Sequence, residues 1–192
     1  MKKLILASAS PRRKYLLKQI GLDFVVIPSQ IEETCEKELA PMEMVKELAL
    51  KKVRDINKNV EQAVVLGADT IVVYKGQVLG KPESQEEAFE MLGKLSGEEH
   101  EVITGIAIID TDTDTDAVIS DAARTRVFFR TLEDEEIRRY IKSGEPMDKA
   151  GSYAIQGKGA IFVERIEGCY FNVVGLPLSL VITHLKQLGL NL

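Results

Sequence analysis

Apolar residues recur along the chain with two different periods. Runs of aliphatic and β-branched residues at Leu4–Ala7, Phe24–Ile27, Val64–Leu66, Ile71–Tyr74, Val102–Ile109, Ala117–Val118 and Thr125–Arg130 predict strands, with a shorter one near Ala160–Val163. Stretches of helical period lie at Pro11–Ile20, Pro41–Ile56, Gln85–Leu95, Glu133–Ile141 and Pro177–Leu188. Within Pro41–Ile56, Met44, Val45, Leu48, Ala49 and Val53 fall three and four apart, which makes one apolar face. Gly21 suits a helix C-terminus, and Tyr74-Lys75-Gly76-Gln77 predicts a hairpin turn. Strands and helices alternate over the whole length, so the fold class is α/β. A hairpin among helical crossovers makes the expected sheet mixed and twisted, with flanking helices.

Composition narrows this picture. With 192 residues, 45% hydrophobic and 29% charged, the chain has the make-up of an ordinary globular protein with a proper core. No run approaches the roughly 20 apolar residues of a membrane span. The apolar stretch near the N-terminus is only Leu4 to Ala7, followed by Pro-Arg-Arg-Lys, so no export signal and a cytoplasmic location are expected. Cys35 and Cys169 have no CxxC or histidine spacing, which predicts neither a disulfide framework nor a zinc site. A net charge of −5 argues against an extended nucleic-acid surface, while leaving room for a small polyanion if positive charge is gathered locally.

The segment Ala7-Ser8-Ala9-Ser10-Pro11-Arg12-Arg13 gathers it. Ser10 is a natural N-cap and Pro11 a natural first helical residue, but two arginines in the first turn oppose the helix dipole. An anion resting there, held by hydroxyls, guanidiniums and backbone N–H groups, would reverse that cost; a solvated turn is the alternative. Asp69 is the only charged residue within Ala63–Val73, so it requires a cation, a metal or a cleft. Gly67 is expected to bend the chain and leave Asp69 at a strand end. Lys52, four residues after Leu48, falls on or beside the apolar helix face. It either snorkels or points into a site. Pro82 extends the backbone at Lys81 in Gly80-Lys81-Pro82, which would aim an ammonium at a phosphate or simply mark a turn.

Six of the 14 glycines lie from Gly144 to Gly175, around Asp148-Lys149-Ala150-Gly151 and Ile155-Gln156-Gly157. Gln156 offers both a donor and an acceptor, which reading a nucleobase edge requires. Glu32 and Glu33 are carboxylates that could share a metal with Asp69. The alternating Thr111–Asp116 tract lacks the central glycine and closing glutamate of a calcium loop and is expected to be an acidic turn. His184, among Leu180, Leu185 and Leu188, is expected to be structural.

Four of these motifs, Ser8-Ala9-Ser10-Pro11-Arg12-Arg13, Gly67-Ala68-Asp69-Thr70, Gly80-Lys81-Pro82 and Asp148-Lys149-Ala150-Gly151 through Gln156-Gly157, stand in a characteristic order. Together they resemble the Maf (septum-formation) family of nucleoside triphosphate pyrophosphatases. The resemblance runs nearly the whole chain and implies a single Maf-like domain over residues 1–192. The implied fold is elongated and two-lobed with a central cleft, like that of the inosine triphosphate pyrophosphatases. It also implies hydrolysis of a nucleoside triphosphate to monophosphate and pyrophosphate, with Mg²⁺ or Mn²⁺. Asp69-Thr70 and Tyr153-Ala154-Ile155-Gln156-Gly157 match the branch that prefers dTTP and UTP. On this carry-over Asp69 is the proton acceptor, and Arg12, Thr70 and Gln156 select the base. Arg12, Arg13, Lys52 and Lys81 would clamp the phosphates with Ser8 and Ser10, and Asp69 and Glu33 would hold the metal. Two other readings stand beside it: a pyrophosphatase for a modified nucleotide such as methylated GTP, and a nucleotide-binding regulator of cell division. A homodimer is expected on general grounds.

Overall fold

In the computed structural model, which describes residues 2–31, 39–58, 60–111 and 118–190, the two hydrophobic periods become seven strands and six α-helices among the described residues. In chain order these are β1 (Lys3–Leu6), α1 (Pro11–Gln19), β2 (Val25–Val26), α2 (Pro41–Asn57), β3 (Ala63–Tyr74), β4 (Gln77–Leu79) and α3 (Gln85–Leu95). Then follow β5 (Glu99–Asp110), β6 (Val118–Phe129), α4 (Asp134–Ile141), β7 (Val163–Glu167), α5 (Tyr170–Val174) and α6 (Leu178–Gln187). The sheet order is β2-β1-β3-β5-β6-β7, with β4 paired to β3. β1 runs parallel to β2 and β3, whereas β3–β4 and β6–β7 are antiparallel, so the sheet is mixed as expected.

The chain divides into two compact units. One comprises Met1–Asp69, Thr104–Ala123 and Gly175–Leu192; the other comprises Thr70–Ile103 and Arg124–Val174. In the first, Ile5, Val65, Ala107 and Ile109 from the strands, with Ala7 just after β1, pack against Ala49, Val53 and Ile56 of α2. Two strand glycines let this helix come close. A Cβ on Gly67 would stand 2.5 Å from Val53 Cγ2 and 2.8 Å from the Ala49 carbonyl oxygen, and one on Gly105 would overlap the Val45 backbone. In the second unit, Leu92 and Leu95 of α3 and Ile137 and Ile141 of α4 pack with Val72, Val102, Phe129, Tyr153 and Phe162.

Several expected boundaries are corrected here. The predicted bend at Gly67 is absent: β3 is one 12-residue strand, and Asp69 sits in its middle. Gly67 serves helix contact instead. The two strands expected around residues 118 and 125–130 are one strand, β6, whose first half is poorly buried and carries little hydrophobic signal. The strand expected near Ala160 begins only at Val163, after a 3-10 turn over Gly157–Phe162. α5 carried no periodic signal because it is a single short turn. The hairpin turn is present, with Lys75 at φ 47° and Gly76 at φ 80°, as a two-residue type I′ turn requires. No helix among the described residues is long and apolar enough to cross a membrane.

Candidate active site

The first unit carries two arrangements of candidate site side chains. The Ala7 N–H donates to the Leu66 carbonyl (2.8 Å), so the chain leaves β1 beside the stretch of β3 that leads to Asp69. The carboxyl ends of parallel strands are where sites in α/β sheets form. The turn that follows is built on serine oxygens. Ser10 caps α1, accepting from the Arg13 N–H at 3.5 Å, and Ser8 Oγ accepts from the Ser10 N–H at 3.3 Å. Arg13 is buried. Its Nη1 donates to Ser8 Oγ (3.1 Å) and its Nε to the Gly175 carbonyl (2.8 Å), so this guanidinium ties the turn to the start of the C-terminal segment. Arg12, one residue earlier in the same turn, stays half-buried. The first turn of α1 itself holds no acidic residue to offset the positive helix end.

The second arrangement is the pair Lys52–Asp69. Val45, Leu48, Ala49, Lys52, Val53 and Ile56 form the buried stripe of α2, so the lysine lies within the apolar face rather than at its border. On β3, Val65, Gly67 and Asp69 alternate onto one face. Because Gly67 admits α2 so closely, Lys52 Nζ reaches Asp69 Oδ1 at 2.5 Å. Lys52 is only 6% exposed and Asp69 7%. The sequence required a partner for this lone carboxylate and left cation, metal and cleft open; the cation is Lys52. A buried charge pair of this kind is retained at a desolvation cost, which apolar residues of similar volume would avoid.

The second unit holds Thr70, Lys81 and Gln156. Thr70 is half-buried in β3, and Lys81 is exposed after Gly80. The Gly80 carbonyl accepts from the Gly151 N–H (3.0 Å), which ties the Gly-Lys-Pro turn to the glycine-rich loop. Gly151 (φ 66°) and Ser152 (φ 61°) are both left-handed, and a Cβ on Gly151 would meet the Val72 side chain. Ser152 is fully buried, with Oγ donating to Met91 Sδ at 3.1 Å. Tyr153 Oη lies 2.8 Å from His100 Nε2, and both rings meet Phe129 edge-on. Burial lowers the His100 imidazole to about 4, so it stays neutral, and burial likewise pushes the Tyr153 phenol up. Gln156 is half-buried and precedes the 3-10 turn over Gly157–Phe162.

Two buried or part-buried contacts in this unit carry no clear sequence signal. One is His100–Tyr153, since an isolated histidine among glutamates gives no sign of facing a tyrosine 53 residues away. The other is Glu145, whose carboxylate accepts from the Tyr140 hydroxyl and from the backbone N–H groups of Lys158 and Gly159. Its only sequence signal was the Gly144-Glu145-Pro146 turn ahead of the glycines. Burial first, then the charge of Glu145, pushes the Tyr140 phenol up and keeps it a donor. His184 hydrogen-bonds Asp121 and Gln187.

Glu32, Glu33, Cys35 and Asp112–Asp116 lie outside the described residues. Among the described residues, no three His, Cys, Asp or Glu side chains gather as a metal site. Asp69 nonetheless offers hard carboxylate oxygen. That suits Mg²⁺ or Mn²⁺, cations that take one or two protein carboxylates and complete their shell with phosphate oxygens and water.

A family model described as Maf-like protein matches residues 3–188. The chain is 49% identical over 191 residues to a dTTP/UTP pyrophosphatase of Pelotomaculum thermopropionicum, covering 100% of this chain and 99% of that protein. It is 51% identical over 190 residues to a dTTP/UTP pyrophosphatase of Ruminiclostridium cellulolyticum, covering 98% and 97%. Among solved structures, the HAM1 protein from Coxiella burnetii superposes with a TM-score of 0.51 at 17% identity, over 96% of this chain and 100% of that one. The Staphylococcus aureus Ham1 protein gives 0.51 at 15% identity, over 97% and 99%. These two likenesses concern the fold.

Proposed function

The chain belongs to the Maf-like protein family, and from that premise we propose that it is a nucleoside triphosphate pyrophosphatase acting on dTTP and UTP. It hydrolyses them to the monophosphate and pyrophosphate, removing them from the nucleotide pool of the cytoplasm. The observation that carries this reading is the buried Lys52–Asp69 pair, in a chain about half identical to dTTP/UTP pyrophosphatases over its full length. A carboxylate held in an apolar strand by a single lysine is costly for stability alone and valuable for chemistry.

The proposed mechanism assigns each residue one task. Asp69 orients a water and takes its proton as the oxygen attacks the α-phosphorus in line, with pyrophosphate leaving. Lys52 holds the Asp69 carboxylate in place and faces the developing phosphate charge. Arg12, the Ser8 and Ser10 hydroxyls and the first-turn N–H groups of α1 bind phosphate oxygens, on a turn that Arg13 braces from behind. Lys81 adds a further charge, and Thr70 and Gln156 select the base. Asp69 and Glu33 would hold Mg²⁺ or Mn²⁺, which would supply neutralisation of phosphate charge. Most of the rate enhancement comes from positioning and charge neutralisation.

The test is product analysis over a panel of nucleotides with Mg²⁺ or Mn²⁺. The expected result is equimolar monophosphate and pyrophosphate from dTTP and UTP, abolished by EDTA. Faster turnover of a methylated GTP than of dTTP would move the assignment to modified nucleotides. Orthophosphate release, or turnover undiminished by EDTA, would contradict the mechanism.

A further inference from the structure

The 3-10 turn over Gly157–Phe162 is capped from a distance. Gln156 occupies its N-cap position with extended backbone (φ −97°, ψ 150°), yet its side chain makes no capping hydrogen bond. At most helix starts the N-cap side chain satisfies the second or third backbone N–H. Here Glu145 does so instead. Its Oε2 accepts from the Lys158 N–H at 3.1 Å, and its Oε1 from the Gly159 N–H at 3.2 Å and the Tyr140 hydroxyl at 3.1 Å. The chain at Gly157 (φ 83°) passes so close that a Cβ would stand 2.9 Å from Glu145 Oε2. On the other side of Gln156, three residues back, Tyr153 is buried and bonded to His100. Gln156 therefore lies between two fixed points of backbone, with its amide spared from capping.

That matters for base selection because of what an amide is. Uracil and thymine present N3–H and O4, a donor beside an acceptor; cytosine presents an acceptor at N3 beside the N4 amino donor. A glutamine amide matches either pattern if its terminal group turns half a revolution. Discrimination requires that the amide be held in one orientation and place, so that the wrong base leaves polar groups unpaired. We propose that Glu145 is a positioning residue for nucleobase selection, its carboxylate fixing the backbone that carries Gln156. The inference rests on Gln156 reading the base, as proposed above.

The experiment compares kcat/KM for dTTP and dCTP in the wild type, Glu145→Gln, Gln156→Ala and the double variant. A glutamine at 145 has one acceptor oxygen and turns an NH₂ group toward donors, so it cannot serve all three. Glu145→Gln is expected to lower the dTTP-to-dCTP ratio about tenfold, the worth of one well-oriented hydrogen bond. The kcat on dTTP should stay within about twofold, a split that general loss of structure would not produce. Exchange of the Lys158 and Gly159 amide protons should quicken. In the Gln156→Ala background the same change should move the ratio no further. Gly157→Ala, which leaves Glu145 in place but forces the loop off the carboxylate, serves as the second variant and should lower the ratio similarly. An unchanged ratio in both Glu145→Gln and Gly157→Ala, with Gln156→Ala lowering it, would overturn the positioning role and leave the base-reading role intact. Equal losses from Glu145→Gln in both backgrounds would also overturn it. An unchanged ratio in Gln156→Ala would instead remove the base-reading role, and the inference with it.

Discussion

Asp69→Asn is expected to release pyrophosphate from dTTP about 10³-fold more slowly than the wild type while still folding and binding nucleotide, at a cost in stability because the buried Lys52 ammonium loses its counter-charge. The amide oxygen of asparagine can still accept the hydrogen bond from Lys52, so the contact between β3 and α2 persists. What disappears is a group able to take a proton, and general-base catalysis of this kind contributes about 10²–10⁴ in rate. The check is a single-turnover rate at saturating metal, beside a thermal melt and a nucleotide titration. A variant with more than about a tenth of the wild-type rate would remove Asp69 from the chemistry. A variant that no longer folds would mark the pair as structural.

Lys52→Met has the second large effect, and it falls on stability as well as rate. The methionine fills much of the same volume in the buried stripe of α2, but it leaves the Asp69 carboxylate without its cation at 7% exposure. Removing one partner of a buried ion pair costs about 3–5 kcal/mol, because the remaining charge must stay desolvated. Urea denaturation should show that loss, and Lys52→Met with Asp69→Asn should recover most of it, since no lone charge then remains. Turnover should fall by about 10²–10³, the range for losing one donor aimed at developing charge. A stability loss under about 1 kcal/mol would mean that water reaches Asp69 freely, against the geometry described here.

How much of this was readable in advance depended on the range of the contact. The serine cap and Pro11 start of α1 were readable because capping is local. Asp69 stood out as one charge in an apolar run, and Lys52 as a cation on an apolar face. Their pairing did not, because it requires α2 to dock on β3 across 17 residues of separation. The device that permits the docking, Gly67, was misread as a bend: a glycine in a strand looks the same whether it turns the chain or admits a neighbour. Residues 119–124 of β6 carry no strand signal for a related reason, being held by their place in the sheet rather than by their own apolar pattern. Glu145's contacts are not legible in the sequence because its partners are mostly backbone N–H groups, which every residue but proline carries.

The central claim is hydrolysis of a pyrimidine triphosphate by water attack at the α-phosphorus. It is tested most directly by running the wild-type reaction with dTTP in ¹⁸O-enriched water and locating the label by mass spectrometry. Attack at the α-phosphorus places one labelled oxygen in dTMP and none in pyrophosphate. Label in pyrophosphate, or its appearance in released orthophosphate, would contradict the account.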